Sequence, residues 1–157
     1  MMTNTSNAGL SEAGMPFREK TAWIAVAAMV VAYSGYFVAV AVAPRSGEPH
    51  DTFVLLALFA IASAVRLLIL GVALLVIRAQ SPADARLPAD ERDRAIAARS
   101  AGIAYWILMI GMVLVGIVMP FTDHGRTITN AALFWLVTAE IVRYGASISA
   151  YRRGWHG

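Results

Sequence analysis

The chain has 157 residues, 59% of them hydrophobic and only 15% charged, with a mean hydropathy of +0.63. Soluble domains run near half apolar and a quarter charged, so a soluble globule is the wrong class. With no cysteine there is no disulfide framework, thiolate metal site or cysteine nucleophile. The formal charge of +3 rests on arginines that flank apolar runs, which is a topology signal rather than a nucleic-acid face.

Four runs of about 20 or more residues are nearly free of charge, and each is long enough to cross roughly 30 Å of hydrocarbon as a helix. Lipid offers no partner for backbone N–H and C=O groups, and period-2 alternation is absent, so helices are expected rather than strands. The fold class is therefore all-α: an integral membrane four-helix bundle in contact with the lipid bilayer.

Residues 1–20 read as a flexible N-terminal tail, because Met1 to Pro16 is polar and rich in Ser, Asn and Gly with nothing periodic to bury. The first span covers about 23–42. Ala41-Val42-Ala43 looks like a signal-peptidase site, but the apolar run exceeds an h-region and Pro44 would follow the cut, so an uncleaved helix is expected. Ala25, Ala28, Ala32, Gly35 and Ala39 recur at spacings of three and four, a small-residue stripe expected to pack closely on protein, either within the bundle or across a homodimer.

A short loop leads to the second span, about 52–77, and residues 78–100 form the longest internal connection, with Pro82 and Pro88. Asp90 is a candidate N-cap for a helix with acids in its first turn, continuing into the third span at about 101–119. Pro120 to Arg126 reads as a tight turn before the fourth span, about 127–151. Arg18, Lys20, Arg78, Arg86, Arg92, Arg94, Arg99, Arg152 and Arg153 all fall on one side of these spans, whereas the other loops hold only Arg45 and Arg126. The positive-inside rule then places both termini and the middle loop in the cytoplasm, N-in and C-in.

Arg66 falls near the middle of the second span, and Glu140 and Arg143 near the middle of the fourth. A charge at that depth costs at least about 2.5 to 3.5 kcal/mol, so these groups are expected to face the bundle and find partners. At 1.5 Å per residue Arg66 lies roughly 21 Å below Thr52 and Glu140 roughly 20 Å below Thr127, so the two form a natural ion pair. Arg143 is one turn from Glu140 on nearly the same face. Two arginines against one glutamate leave a positive charge over, which either snorkels to headgroups or receives an anionic group.

Asn130, Tyr144, Ser147 and Tyr151 share one stripe of the fourth helix with Leu133, Val137 and Glu140, a polar seam expected to face protein. His50, His124 and His156 all lie outside the spans, which argues against axial haem ligation. His50 with Asp51 and Asp123 with His124 are weak metal candidates on one side, and solvated loop residues are the commoner explanation. No Ser-His-Asp arrangement, phosphate-binding glycine loop or HExxH motif is present, so neither an enzyme nor a cofactor is expected.

The stretch Asp90-Glu91-Arg92-Asp93-Arg94-Ala95-Ile96, the Ala104-Tyr105-Trp106 that follows, and the terminal Tyr151-Arg152-Arg153-Gly154 resemble a known family. They are similar to the small bacterial four-helix membrane proteins with a cytoplasmic DERD or DERE motif, the DUF2178 group. The resemblance implies a multi-pass protein of the bacterial inner membrane without an established activity, from genes often beside small helix-turn-helix regulators. The residues add a dense mixed-charge helix start, Asp90, Glu91, Arg92, Asp93 and Arg94, which is either a capped, self-paired helix end or a docking surface. The expected function is non-enzymatic, through a protein partner or homo-oligomer and without nucleic acid: a regulatory or sensory partner, or an accessory subunit of a membrane complex. The alternative is a small transporter or channel that uses Arg66, Glu140 and Arg143 on an anion or proton.

Overall fold

The computed structural model describes residues 17–42, 49–80 and 90–153, with side chains from Thr52 onward in the second segment. They form four long helices, α1 (Phe17–Val42), α2 (Pro49–Gln80), α3 (Glu91–Val113) and α4 (Gly125–Arg152). The third continues through a π-helical turn, Leu114–Val118, and a 3-10 turn, Met119–Phe121. All four are apolar and long enough to cross a bilayer.

Local chemistry sets the ends of these helices. Asp90 has an extended backbone, and its side chain accepts from the Asp93 N–H at 2.6 Å, so it caps α3 as its sequence position implies. At the far end Pro120 lacks an N–H and its ring crowds the carbonyl four residues earlier, which widens the preceding turn and stops the helix. The Met119 carbonyl then accepts from both Thr122 and Asp123, and the His124 carbonyl accepts from Thr127 and Ile128 to open α4. The turn between the two helices is accordingly very short.

The helices run up, down, up and down. Tyr33 and Tyr36 of α1 meet Ser63 and Phe59 of α2 in reverse order, and the Tyr36–Asn130 and Glu19–Arg152 contacts make α1 antiparallel to α4. α4 is the central element: it packs along α3, along α1, and over a shorter stretch on α2. α2 packs mainly on α1, and α2 and α3 do not pack extensively on each other. The core is correspondingly small, built on Ala25, Met29 and Tyr33 of α1 against Val137 of α4, with Phe59 stacked on Tyr33 at 5.2 Å. Most of α2 is left as apolar surface suited to lipid.

Two expectations are corrected. Phe17–Lys20 are the first turn of α1 rather than the end of a flexible tail, because Arg18 and Glu19 are tied to α3 and α4. In the small-residue stripe of α1, Ala25 and Ala28 are buried and Ala32 is half-buried, but Gly35 and Ala39 are exposed. From Met29 onward the buried line passes instead through Tyr33 and Tyr36. Large side chains whose hydroxyls find partners bury more surface than glycine, so they take over the inward face.

Candidate functional site

The mid-depth charges come together. Nη2 of Arg66 lies 3.4 Å from Oε2 of Glu140, and Nη1 of Arg143 lies 3.6 Å from Oε1 of the same carboxylate. One glutamate thus serves two arginines, one from α2 and one from its own helix. The match in depth follows from α2 and α4 running in the same direction, each starting at the same side of the bundle. Arg66 is the more sheltered, with a side chain 17% exposed, whereas that of Arg143 is 47% exposed. Nε of Arg66 is shielded and has no hydrogen-bond partner among the described residues.

The polar seam of α4 divides. Asn130 accepts a 2.7 Å hydrogen bond from the Tyr36 hydroxyl, and Tyr151 donates at 2.8 Å to Asp93, so both ends of the seam bind neighbouring helices. Tyr144 packs against the Met29–Val137 core and lies beneath the Arg143 guanidinium, whose Cζ is 5.7 Å from the ring centroid. Ser147 differs, because its hydroxyl donates back to the Arg143 carbonyl of its own helix.

At the end that carries most of the basic residues, a second network joins three helices. Asp93 of α3 takes Arg18 Nε at 2.8 Å together with the Tyr151 hydroxyl. Glu19, buried in the first turn of α1, receives Arg152 Nε at 3.4 Å, and Arg152 lies over the Trp23 ring at 5.3 Å. Within the Asp90–Arg94 segment, then, Asp90 caps and Asp93 ties α3 to α1 and α4, while Glu91, Arg92 and Arg94 are exposed. Capping and internal pairing account for the two aspartates.

Among the metal candidates, Asp123 accepts from its neighbour Thr122 at 2.9 Å and His124 is an exposed helix start. The side chains of His50 and Asp51 lie outside the described part of the structure. The described residues contain no cluster of three or more His, Cys, Asp or Glu. Sequence reasoning passed over Tyr33, Tyr36, Ser63 and Glu19, and used Arg18 only as a topology signal. A signal was present for the tyrosines, since a phenol within a span must find a hydrogen bond, but nothing local marks its partner 30 or 94 residues away.

Four apolar spanning helices closed by interhelical ion pairs and hydrogen bonds define a multi-pass membrane protein. The chain belongs to the DUF2178 family of predicted membrane proteins, whose pattern it matches over residues 18–155. Comparison with curated proteins and with solved structures gives no match.

Proposed function

We propose that the protein works without catalysis, through contact with a protein partner in the bacterial inner membrane, as a regulatory or sensory partner or an accessory subunit of a membrane complex. The observation that carries this reading is the imbalance of the mid-depth cluster. Arg66 and Arg143 share the single carboxylate of Glu140, and Arg143 is the exposed member. An uncompensated guanidinium at this depth costs at least about 2.5 kcal/mol, which a carboxylate on a neighbouring span would relieve. α2 and α3 do not pack extensively on each other, so a further helix has room beside α4.

The same imbalance supports a second reading, a small transporter or channel for an anion or proton, because the shielded Nε of Arg66 has no hydrogen-bond partner among the described residues. One experiment separates the two. A photocrosslinking residue at position 143 should give a discrete adduct with one membrane protein in native membranes, and Arg143→Gln should abolish co-purification of that protein without unfolding the chain. If no adduct forms and proteoliposomes of the purified chain carry an anion or proton flux that Arg143→Gln removes, the transport reading replaces it.

A further inference from the structure

A cleft of about 420 Å³ opens between α1 and α4 at the basic end of the bundle, away from the Arg66–Glu140 contact. Its walls are mostly apolar, from Val26 of α1 and Ile141, Gly145 and Ile148 of α4, and Arg152 and Arg153 close its mouth beside Trp23. The volume lies within the roughly 300–1,000 Å³ of sites that hold small organic molecules.

The charge at the mouth is only partly used within the protein. Arg152 commits Nε to Glu19 and rests on Trp23, yet its side chain is 61% exposed. Arg153 has no acidic partner among the described residues, and Lys20, one turn before Trp23 on α1, is exposed. Two arginines therefore meet where the helices leave the hydrocarbon, beside a tryptophan of the kind that favours the headgroup level. From Arg152 to Ile141 the cleft runs eleven residues of helix, about 16 Å. That matches the roughly 15 Å of hydrocarbon in one leaflet.

We propose that this cleft is a binding site for one glycerophospholipid with an anionic headgroup, its phosphate held by Arg152 and Arg153 and one acyl chain lying along Val26, Gly145 and Ile148. Gly145 is central to the fit. A Cβ there would meet nothing within 4 Å, so the absent side chain leaves the space in which the chain lies. The guanidiniums favour a headgroup of net negative charge over a zwitterionic one, whose ammonium group would sit beside them, and the groove selects for a tail, which a free phosphate lacks.

The test is native mass spectrometry of the purified full chain equilibrated with phosphatidylglycerol and phosphatidylcholine of the same chain length. One phosphatidylglycerol should be retained per chain in preference to phosphatidylcholine. Arg153→Gln should reduce that preference roughly fivefold, the effect of one basic residue near the headgroups. Gly145→Leu, which favours helix and fills the cleft, should remove retention of both lipids while circular dichroism stays unchanged. Equal retention of the two lipids, an unchanged preference in Arg153→Gln, or continued retention by folded Gly145→Leu would each overturn the proposal. So would displacement of the lipid by glycerol phosphate at an equal concentration, because the apolar groove would then contribute nothing.

Discussion

Glu140 of α4 lies 3.4 Å from Arg66 of α2, an ion pair that joins these two helices near the middle of their length. α2 packs mainly on α1 and touches α4 only over a short stretch, so this contact adds a polar tie between α2 and α4 to the Tyr33–Ser63 and Tyr33–Phe59 contacts that α2 makes with α1. Removing one partner of a buried pair costs about 3 to 5 kcal/mol, because the other charge is left uncompensated. Glu140 is partly exposed, which puts Glu140→Gln near the lower end, about 3 kcal/mol. Arg66→Met combined with Glu140→Leu should recover most of the loss, as read by thermal unfolding in detergent. A Glu140→Gln variant as stable as the wild type would show that the contact carries no structural weight.

The α3–α4 interface depends on a missing side chain. A Cβ added at Gly111 would lie 2.6 Å from Cβ of Trp135, closer than such atoms ever pack, so the two helices approach through this glycine. Gly111→Ala should therefore destabilise by about 1 to 3 kcal/mol, the usual cost of overpacking. Gly102, on the same helix, has nothing within 4 Å of its own added Cβ, and Gly102→Ala should be neutral or stabilising. Equal effects of the two substitutions on the unfolding midpoint would contradict the observed closeness.

On α1 the contrast is between Ala25 and Gly35. Ala25 is 1% exposed in the core beside Met29, whereas Gly35 is exposed with nothing within 4 Å of an added Cβ. Ala25→Leu should disrupt the bundle, lowering the yield of monodisperse folded protein on size-exclusion chromatography, and Gly35→Leu should leave it intact. If Gly35→Leu were the disruptive change, α1 would be turned the wrong way.

These residues also show what a single sequence discloses. Span number, helix direction and the Arg66–Glu140 match were legible because hydrocarbon thickness and a fixed rise per residue turn position into depth. The Asp90 cap was legible because its chemistry is local. Within one chain the inward face of α1 leaves the alanine and glycine line in its second half, since that spacing signals close packing without saying which partner uses it. Tyr36–Asn130 and Glu19–Arg152 depend on which helices are neighbours, and composition carries no record of that. The cleft at Gly145 was invisible for the same reason, being a property of two helices and not of either one.

The final prediction concerns which side of the membrane each end occupies. Arg18–Asp93 and Arg152–Glu19 bring the start of α1, the start of α3 and the end of α4 to one side, whatever the orientation in the bilayer. That side carries Arg18, Lys20, Arg78, Arg92, Arg94, Arg99, Arg152 and Arg153, against Arg126 on the other among the described residues. Such an excess within short loops directs the basic side to the cytoplasm. The chain contains no cysteine, so single substitutions report position without background. In spheroplasts, Ser46→Cys and His124→Cys should react with a membrane-impermeant maleimide, and Pro82→Cys should react only after permeabilisation. External labelling of Pro82→Cys with protection of His124→Cys would invert the orientation while leaving the helix packing intact. Arg153→Cys should behave like Pro82→Cys, and external labelling of both Arg153→Cys and His124→Cys would go further. It would place the two ends of α4 on one side and rule out its crossing the membrane at all.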